Sequence, residues 1–451
     1  MRFLFVLFAL AALSACGVPE TLDAETALPP MKTFESAAQP SPAGSNTQIA
    51  RDFLDLTFTS ELGRKLPVFT RFEGPVTVRV LGKATPVFMH DLDRLLSRLR
   101  TEAEIDIHRI PGKGAASIIV QLVRRSQIKS IEPSAACLVR PNVEDWDDFS
   151  KKRHAPETFL SSLKIRKQMA VFLPIDASPQ DQRDCLHEEI SQALGPVNDL
   201  YRLSQSVFND DNFHSVLTGF DMLILRTYYD SALQNGISRN AVAARLPAIL
   251  SRINPQGGHG GIAPPAPRMT AWQAAFKKAT QPRHLSNHGV SDAQRAIDLA
   301  RPAGRLSLHL ALSHFLHGEL TLKERPDISL NAYLAAGRIY ANRADTAIQE
   351  ARVALQLATY QLSVGQTETA VALVNRNLNI AKQSENAVLL SRMLLVKAEA
   401  LEIMGLSDQA ADIYSEALAW GLYGFGSESE VLKQARQIRA ISPRIAERTA
   451  G

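Results

Sequence analysis

The chain has 451 residues, of which 45% are hydrophobic and 21% charged, with a formal net charge of +4. That balance excludes a mainly disordered, collagen-like or coiled-coil protein, and the length predicts two or three domains at ~150 residues each. The small charge argues against nucleic-acid binding, and three cysteines are too few for a disulfide scaffold. Beyond the N-terminus no apolar run approaches the ~18 residues that a membrane span needs.

Arg2 precedes an unbroken apolar run, Phe3 to Leu13, too short to cross a bilayer but suited to a signal-peptide core. It leads into Leu13-Ser14-Ala15-Cys16, which resembles the bacterial lipobox. The resemblance implies removal of residues 1–15 and acylation of Cys16, with palmitate as a typical chain. The chain would then be a lipoprotein of the cell envelope, anchored to the membrane and facing the periplasm. In that family an aspartate after the cysteine holds the protein at the inner membrane; Gly17 leans toward the outer one. An ordinary secretory signal with a chance cysteine is the alternative. In an oxidising compartment Cys137 and Cys185 favour one disulfide, the alternative being two buried free thiols.

Residues 16–48 are rich in Pro, Ala, Ser and Thr and read as a flexible tether, with ordered structure starting near Ile49. An α+β domain is expected over 49–253. Val76, Val78 and Val80 alternate with Thr77 and Arg79, the period of a half-exposed strand. Leu92, Leu95, Leu96 and Leu99 recur at helical spacing within Asp91 to Glu102. Ile105 to Ile110, Ser117 to Val123 and Gln168 to Ile175 read as three more strands. Ser178-Pro179 then opens a long helix: Ser caps, Pro suits the first turn, and Asp181 favours its positive end. The Gly/Pro run over 254–268 cannot hold a helix or strand and marks a linker.

Residues 269–451 lose the strand pattern. Leu357 to Ala370 is similar to Lys397 to Ala410 at an offset of 40, and Leu378 matches Leu418. Ala311 to Gly318 and Tyr333 to Tyr340 read as a poorer earlier copy. Small residues at the helix contacts and Gly at the turn resemble the tetratricopeptide family, whose period is nearer 34. That resemblance implies an all-α array with a surface for a protein or peptide partner. A generic helical bundle is the alternative.

The stretch with the most chemistry is Cys185-Leu186-His187-Glu188-Glu189-Ile190-Ser191-Gln192-Ala193-Leu194-Gly195-Pro196-Val197-Asn198-Asp199. Read as a zincin helix from His187, it needs a second ligand where Ser191 stands. Anchored on Leu194-Gly195, it resembles the matrixin-type metzincins, H-E-x-x-H-x-L-G-L-x-H. That register places Glu188 at the first ligand, Glu189 at the general base, Gln192 at the second ligand and Asn198 at the third, with Asp199 beside it. Ser206-Val207-Phe208 falls at the turn beneath the metal, and Leu217-Thr218-Gly219-Phe220-Asp221 at the last helix. Residues 49–253 thus resemble an uncharacterised family of proteobacterial lipoproteins with a degenerate metzincin-like domain, a mixed sheet and two long helices. All three ligand histidines are replaced, and amide oxygens suit hard cations rather than zinc. The expectation is therefore a non-catalytic adaptor with no assured cofactor. One alternative is a metallopeptidase-like hydrolase with an atypical site centred on Glu189 and a divalent cation; the other is no zincin relationship, with Glu188 and Glu189 on a solvated helix face and Leu194-Gly195 an ordinary C-cap.

Other candidates are weaker. His214 follows Asp210 and Asp211, whose spacing fits no calcium-loop template. His284 and His288 lack an adjacent Glu, and His309, His314 and His317 read as surface or core. No phosphate loop, G-x-S-x-G elbow or C-x-x-C pair occurs, so no nucleotide is expected.

Overall fold

In a computed structural model the described residues are 28–35, 44–60, 63–112, 114–209, 213–258, 269–280, 287–304 and 307–442. Arg2, the apolar run, Cys16 and Gly17 lie outside them, as do Asp210, Asp211 and His284. The fold is α+β, with a mixed sheet in the first half and, among the described residues, helices alone in the second.

The chain enters the first half through α1 (Asn46–Phe58), whose N-cap Ser45 accepts from the Gln48 amide while Gln48 reaches back to the Ser45 amide. There follow β1 (Val76–Leu81), α2 (Pro86–Glu102), β2 (Ile107–Arg109), β3 (Ile118–Val123), α3 (Arg125–Ile131), β4 (Leu138–Pro141), α4 (Trp146–Lys152), β5 (Met169–Pro174), α5 (Pro179–Leu194), α6 (Gly219–Tyr228) and α7 (Arg239–Ile253). The strands run in the order β2-β1-β3-β5-β4, parallel except for β4, which pairs antiparallel at the edge. The predicted helix from Asp91 begins five residues earlier, because Thr85 caps it and Pro86 fits the first turn.

Both sheet faces are covered, which explains the near-continuous apolar runs in β3 and β5. One face carries Val120, Val171 and Leu173 against Leu95 and Leu99 of α2 and Leu186 and Ile190 of α5. The other presents Phe172 to Trp146 and Phe149 of α4. Cys137 beside β4 and Cys185 of α5 lie 2.14 Å apart at sulfur, at disulfide distance, so the predicted pair meets. Bridging residues 48 apart stabilises by about 4 kcal/mol in the chain-entropy account.

The second half holds α8 (Thr270–Ala279), α9 (Asn287–Ala300), α10 (Leu308–Thr321), α11 (Pro326–Tyr340), α12 (Ala347–Ser363), α13 (Thr367–Gln383), α14 (Ala387–Ile403), α15 (Ser407–Phe425) and α16 (Glu428–Ile441). Successive helices pack as pairs. The offset of 40 seen in sequence carries into structure. Both ends of α12 and α14 are related by it, and Gly365 and Gly405 make matching left-handed turns at φ 77° and 78°. No described helix is long and apolar enough to cross a membrane.

Two expectations need correction. Residues 28–35, placed in a free tether, pack on α15, with Phe34 only 6% exposed. The start of the linker is also held: Asn46 of α1 donates to the Asn254 and Gly258 carbonyls. A Cβ on Gly257 would come within 2.3 Å of the Asn46 side chain, so glycine is needed there for close approach. In both cases long-range contacts override a local composition that favours disorder.

Candidate functional site

Helix α5 carries most of the predicted site and lies between two layers. Leu186, Ile190, Ala193 and Leu194 face the sheet. Gln180 and Arg183 face the helical half, where Gln180 accepts from the Val388 amide of α14. The turn ending α15 presses so closely on the start of α5 that a Cβ on Gly426 would lie 2.9 Å from the Ser178 Cα.

Within this setting the predicted residues separate. Glu189 is 4% exposed and Gln192 5%, so both are interior, while Glu188 is half-buried. Neither Glu188 nor Glu189 lines any of the three hollows described below, and of the two only Glu189 is enclosed by protein. Asn198 is buried and its amide donates to the Asp55 carbonyl of α1 at 3.0 Å. Asn198 and half-buried Asp199 line a cavity of about 500 Å³ between the two halves, together with Asp55, Lys65, Arg239 and Trp272. The matrixin register therefore distributes over an interior helix face and a separate hollow.

The last turn of α5 is held by a residue that the sequence reading missed. Arg166, 3% exposed, donates to the carbonyls of Gln192 (2.6 Å), Ala193 (2.7 Å) and Gly195 (2.8 Å). A buried cation here satisfies orphan carbonyls and meets the negative end of the helix. Gly195 is extended, not left-handed, so it is no ordinary C-cap. It is glycine because a Cβ would sit 2.6 Å from the Tyr228 ring. The only signal available for Arg166 was an arginine shortly before a buried strand, which any surface arginine would also give.

The histidines are structural in their surroundings. His187 of α5 is buried and its Nδ1 accepts from the Leu217 amide at 3.0 Å. Burial, reinforced by Arg98, Arg183 and Arg94, pushes its pKa well below the usual histidine value and keeps the ring neutral. The His214 ring nitrogen bonds the Ser204 carbonyl, and burial lowers its pKa to about 4. His309 stands edge-on to Trp272 and is likewise lowered to about 4 by burial and by Arg202. His317 is buried in α10, and His314 stands one turn before it.

The predicted turn and last helix do come together. Asp221, fully buried in α6, accepts from Ser206 Oγ at 2.5 Å and from the amides of Val207 and Thr218. Burial still raises its pKa to about 6, against the lowering effect of those donors.

Among the described residues no group of three or more His, Cys, Asp or Glu side chains is placed to hold a metal ion. The residues in the matrixin register do not fit a catalytic zinc either. Two carboxamides replace histidines, and one of them is already bonded through its amide to α1.

A larger hollow of about 780 Å³ adjoins the first and shares Arg202 and His309 with it. Arg202 is held by Asp52 at 2.7 Å and Asp55 at 2.9 Å. The halves are joined beside α5 by buried charges. Arg183 donates to the Glu385 carbonyl at 2.6 Å, Arg94 pairs with its carboxylate at 2.8 Å, and Tyr423 donates to Asp91 at 2.7 Å.

Residues 46–248 match the model of a family described as a protein of unknown function, DUF2927. The match runs from the start of α1 into α7 and stops before the helical half. No curated protein and no solved structure matches the chain.

Proposed function

We propose that this protein is a lipid-anchored adaptor of the bacterial cell envelope, non-catalytic, which binds a protein or peptide partner through its helical half. The metzincin-like first domain serves as scaffold. One observation carries the non-catalytic part. The helix bearing Glu188 and Glu189 is enclosed by its own sheet and by α15, with its terminal carbonyls held by Arg166 and Asn198 bonded to α1. General-base chemistry needs the carboxylate within reach of a substrate or its water, and an interior Glu189 offers no such approach.

The tetratricopeptide-like reading draws support from the paired helices and the turn glycines 40 residues apart. A groove of about 390 Å³ between α14, α15 and α16, lined by Leu395, Ala411, Tyr414 and Ile438 with Glu399 and Arg439 at its rim, offers that half an apolar docking surface. The anchor rests on Leu13-Ser14-Ala15-Cys16. The hydrolase alternative keeps one point in its favour: the sheet precedes the long helix, and Ser206 meets Asp221 behind it, in the order that the matrixin resemblance implies.

Two measurements test the reading. Detergent-solubilised full chain is expected to contain no stoichiometric divalent metal and to cleave peptides no faster than its Glu189→Gln variant. Stoichiometric metal, with hydrolysis lost in that variant, would reject the adaptor and establish the hydrolase. In cells fed labelled palmitate, the wild type is expected in the membrane fraction carrying label. Cys16→Ser is expected without it, and label that survives the substitution rejects the anchor.

A further inference from the structure

Residues 28–35, Leu-Pro-Pro-Met-Lys-Thr-Phe-Glu, run without helix or strand along α15. Leu28, Met31 and Phe34 recur every third position. That is the repeat of a polyproline II chain, whose three residues per turn align such positions on one face. This face packs against the core of the helical half, whereas Pro30, Lys32, Thr33 and Glu35 are exposed.

The contacts are varied and specific. The Lys32 amide donates to the Ala419 carbonyl at 3.1 Å, and its ammonium meets Glu416 at 3.1 Å. The Phe34 ring stacks on Trp420 at 4.4 Å and meets Tyr423 edge-on at 5.9 Å. The Arg183 guanidinium of α5 lies 5.3 Å over the same ring, so the site is completed by both halves of the molecule. A backbone bond, an ion pair and an aromatic socket together read a sequence pattern, as peptide-recognition grooves do.

We propose that this face of α15, closed at one end by Arg183, is a recognition groove for an extended, proline-containing peptide. The peptide it takes has apolar, apolar and aromatic residues at successive third positions and a basic residue after the second. Residues 28–35 are its resident ligand, and a partner segment of the same pattern displaces them. The proposal rests on the adaptor reading and deepens it by naming the partner's chemistry. A resident segment on a short connection acts at roughly millimolar effective concentration, so it suppresses weaker competitors and sets a threshold for the partner.

The test uses a fluorescein-labelled peptide of residues 26–37, titrated into the full chain and its Phe34→Asp variant. The variant is expected to bind the peptide at least tenfold more tightly than wild type, because its own segment no longer competes. The same peptide carrying Phe34→Ala is expected to show no saturable binding. Equal binding to both proteins, or binding to neither, overturns the proposal. Should Phe34→Asp fail to fold, Lys32→Glu provides the second arm. Both its side chain and Glu416 are partly exposed, so the fold is retained. Hydrogen exchange at residue 32, slow in wild type, is expected to quicken at least tenfold in that variant, and its peptide binding to rise. Unchanged exchange and unchanged binding in Lys32→Glu also overturn the proposal. A partner held through the α14–α16 groove by a protein that does not bind the peptide ends this inference and leaves the adaptor reading standing.

Discussion

Replacing Glu385 by alanine is expected to destabilise the protein by about 3–5 kcal/mol and to separate the unfolding of its two halves. The side chain is 3% exposed and stands between two arginines, Arg94 at 2.8 Å and Arg183 at 3.5 Å, themselves 13% and 1% exposed. Removing one member of a buried ion group leaves uncompensated charge in the interior, which accounts for the size of the effect. The backbone points the same way. Glu385 sits at φ 49°, in the left-handed region, at the turn after α13. The turns after α12, α14 and α15 place Gly365, Gly405 and Gly426 in that conformation. A non-glycine residue there costs on the order of 1 kcal/mol, and the carboxylate offsets it. Glu385→Gly should therefore be less harmful than Glu385→Ala by several tenths of a kcal/mol, while both lose the carboxylate. Calorimetry is the check. Wild type should unfold in one transition and Glu385→Ala in two, and a single unshifted transition in the variant would refute the role assigned to this contact.

Arg166→Ala is expected to cost a similar amount, about 3–5 kcal/mol, but with a different spatial signature. Three buried carbonyls lose their donor at once, each worth roughly 1–3 kcal/mol when left unsatisfied, with partial relaxation reducing the sum. Hydrogen exchange should accelerate at the C-terminal turn of α5, around 192–198. It should stay slow near Arg183, where contacts with the helical half are untouched. Arg166→Lys should recover only part of the loss. The two guanidinium nitrogens reach from Gln192 to Gly195, a spread that one ammonium cannot cover. Uniform acceleration along α5 would mean that Arg166 supports the whole domain rather than the end of this helix.

These two residues mark where sequence reading ends. Local periodicity specified β1, β3, β5 and α5, because alternation and Ser-Pro capping act within a few residues. The repeat of 40 specified α12 to α15 and their turns, since self-similar segments fold alike. The pairing of Cys137 with Cys185 was legible because only two thiols remain beyond Cys16.

The acid pair behaved differently. Its types and spacing were visible, but whether Glu188 and Glu189 face a cleft depends on what covers α5. Part of the cover of α5 comes from far along the chain: Glu385, 202 positions from the Arg183 it meets, and the turn at Gly426, which presses on Ser178 at the start of the helix. The docking of residues 28–35 has the same character. Their composition favours an unpaired chain, and only the socket formed by Trp420, Tyr423 and Arg183 provides enough buried area and charge to order them. The sequence by itself determined the elements and the repeat, since each of these is encoded by neighbours along the chain. The tertiary structure alone decided which polar groups are interior and which segment lies on α15, because burial is set by the partner surface and not by the residue that it covers.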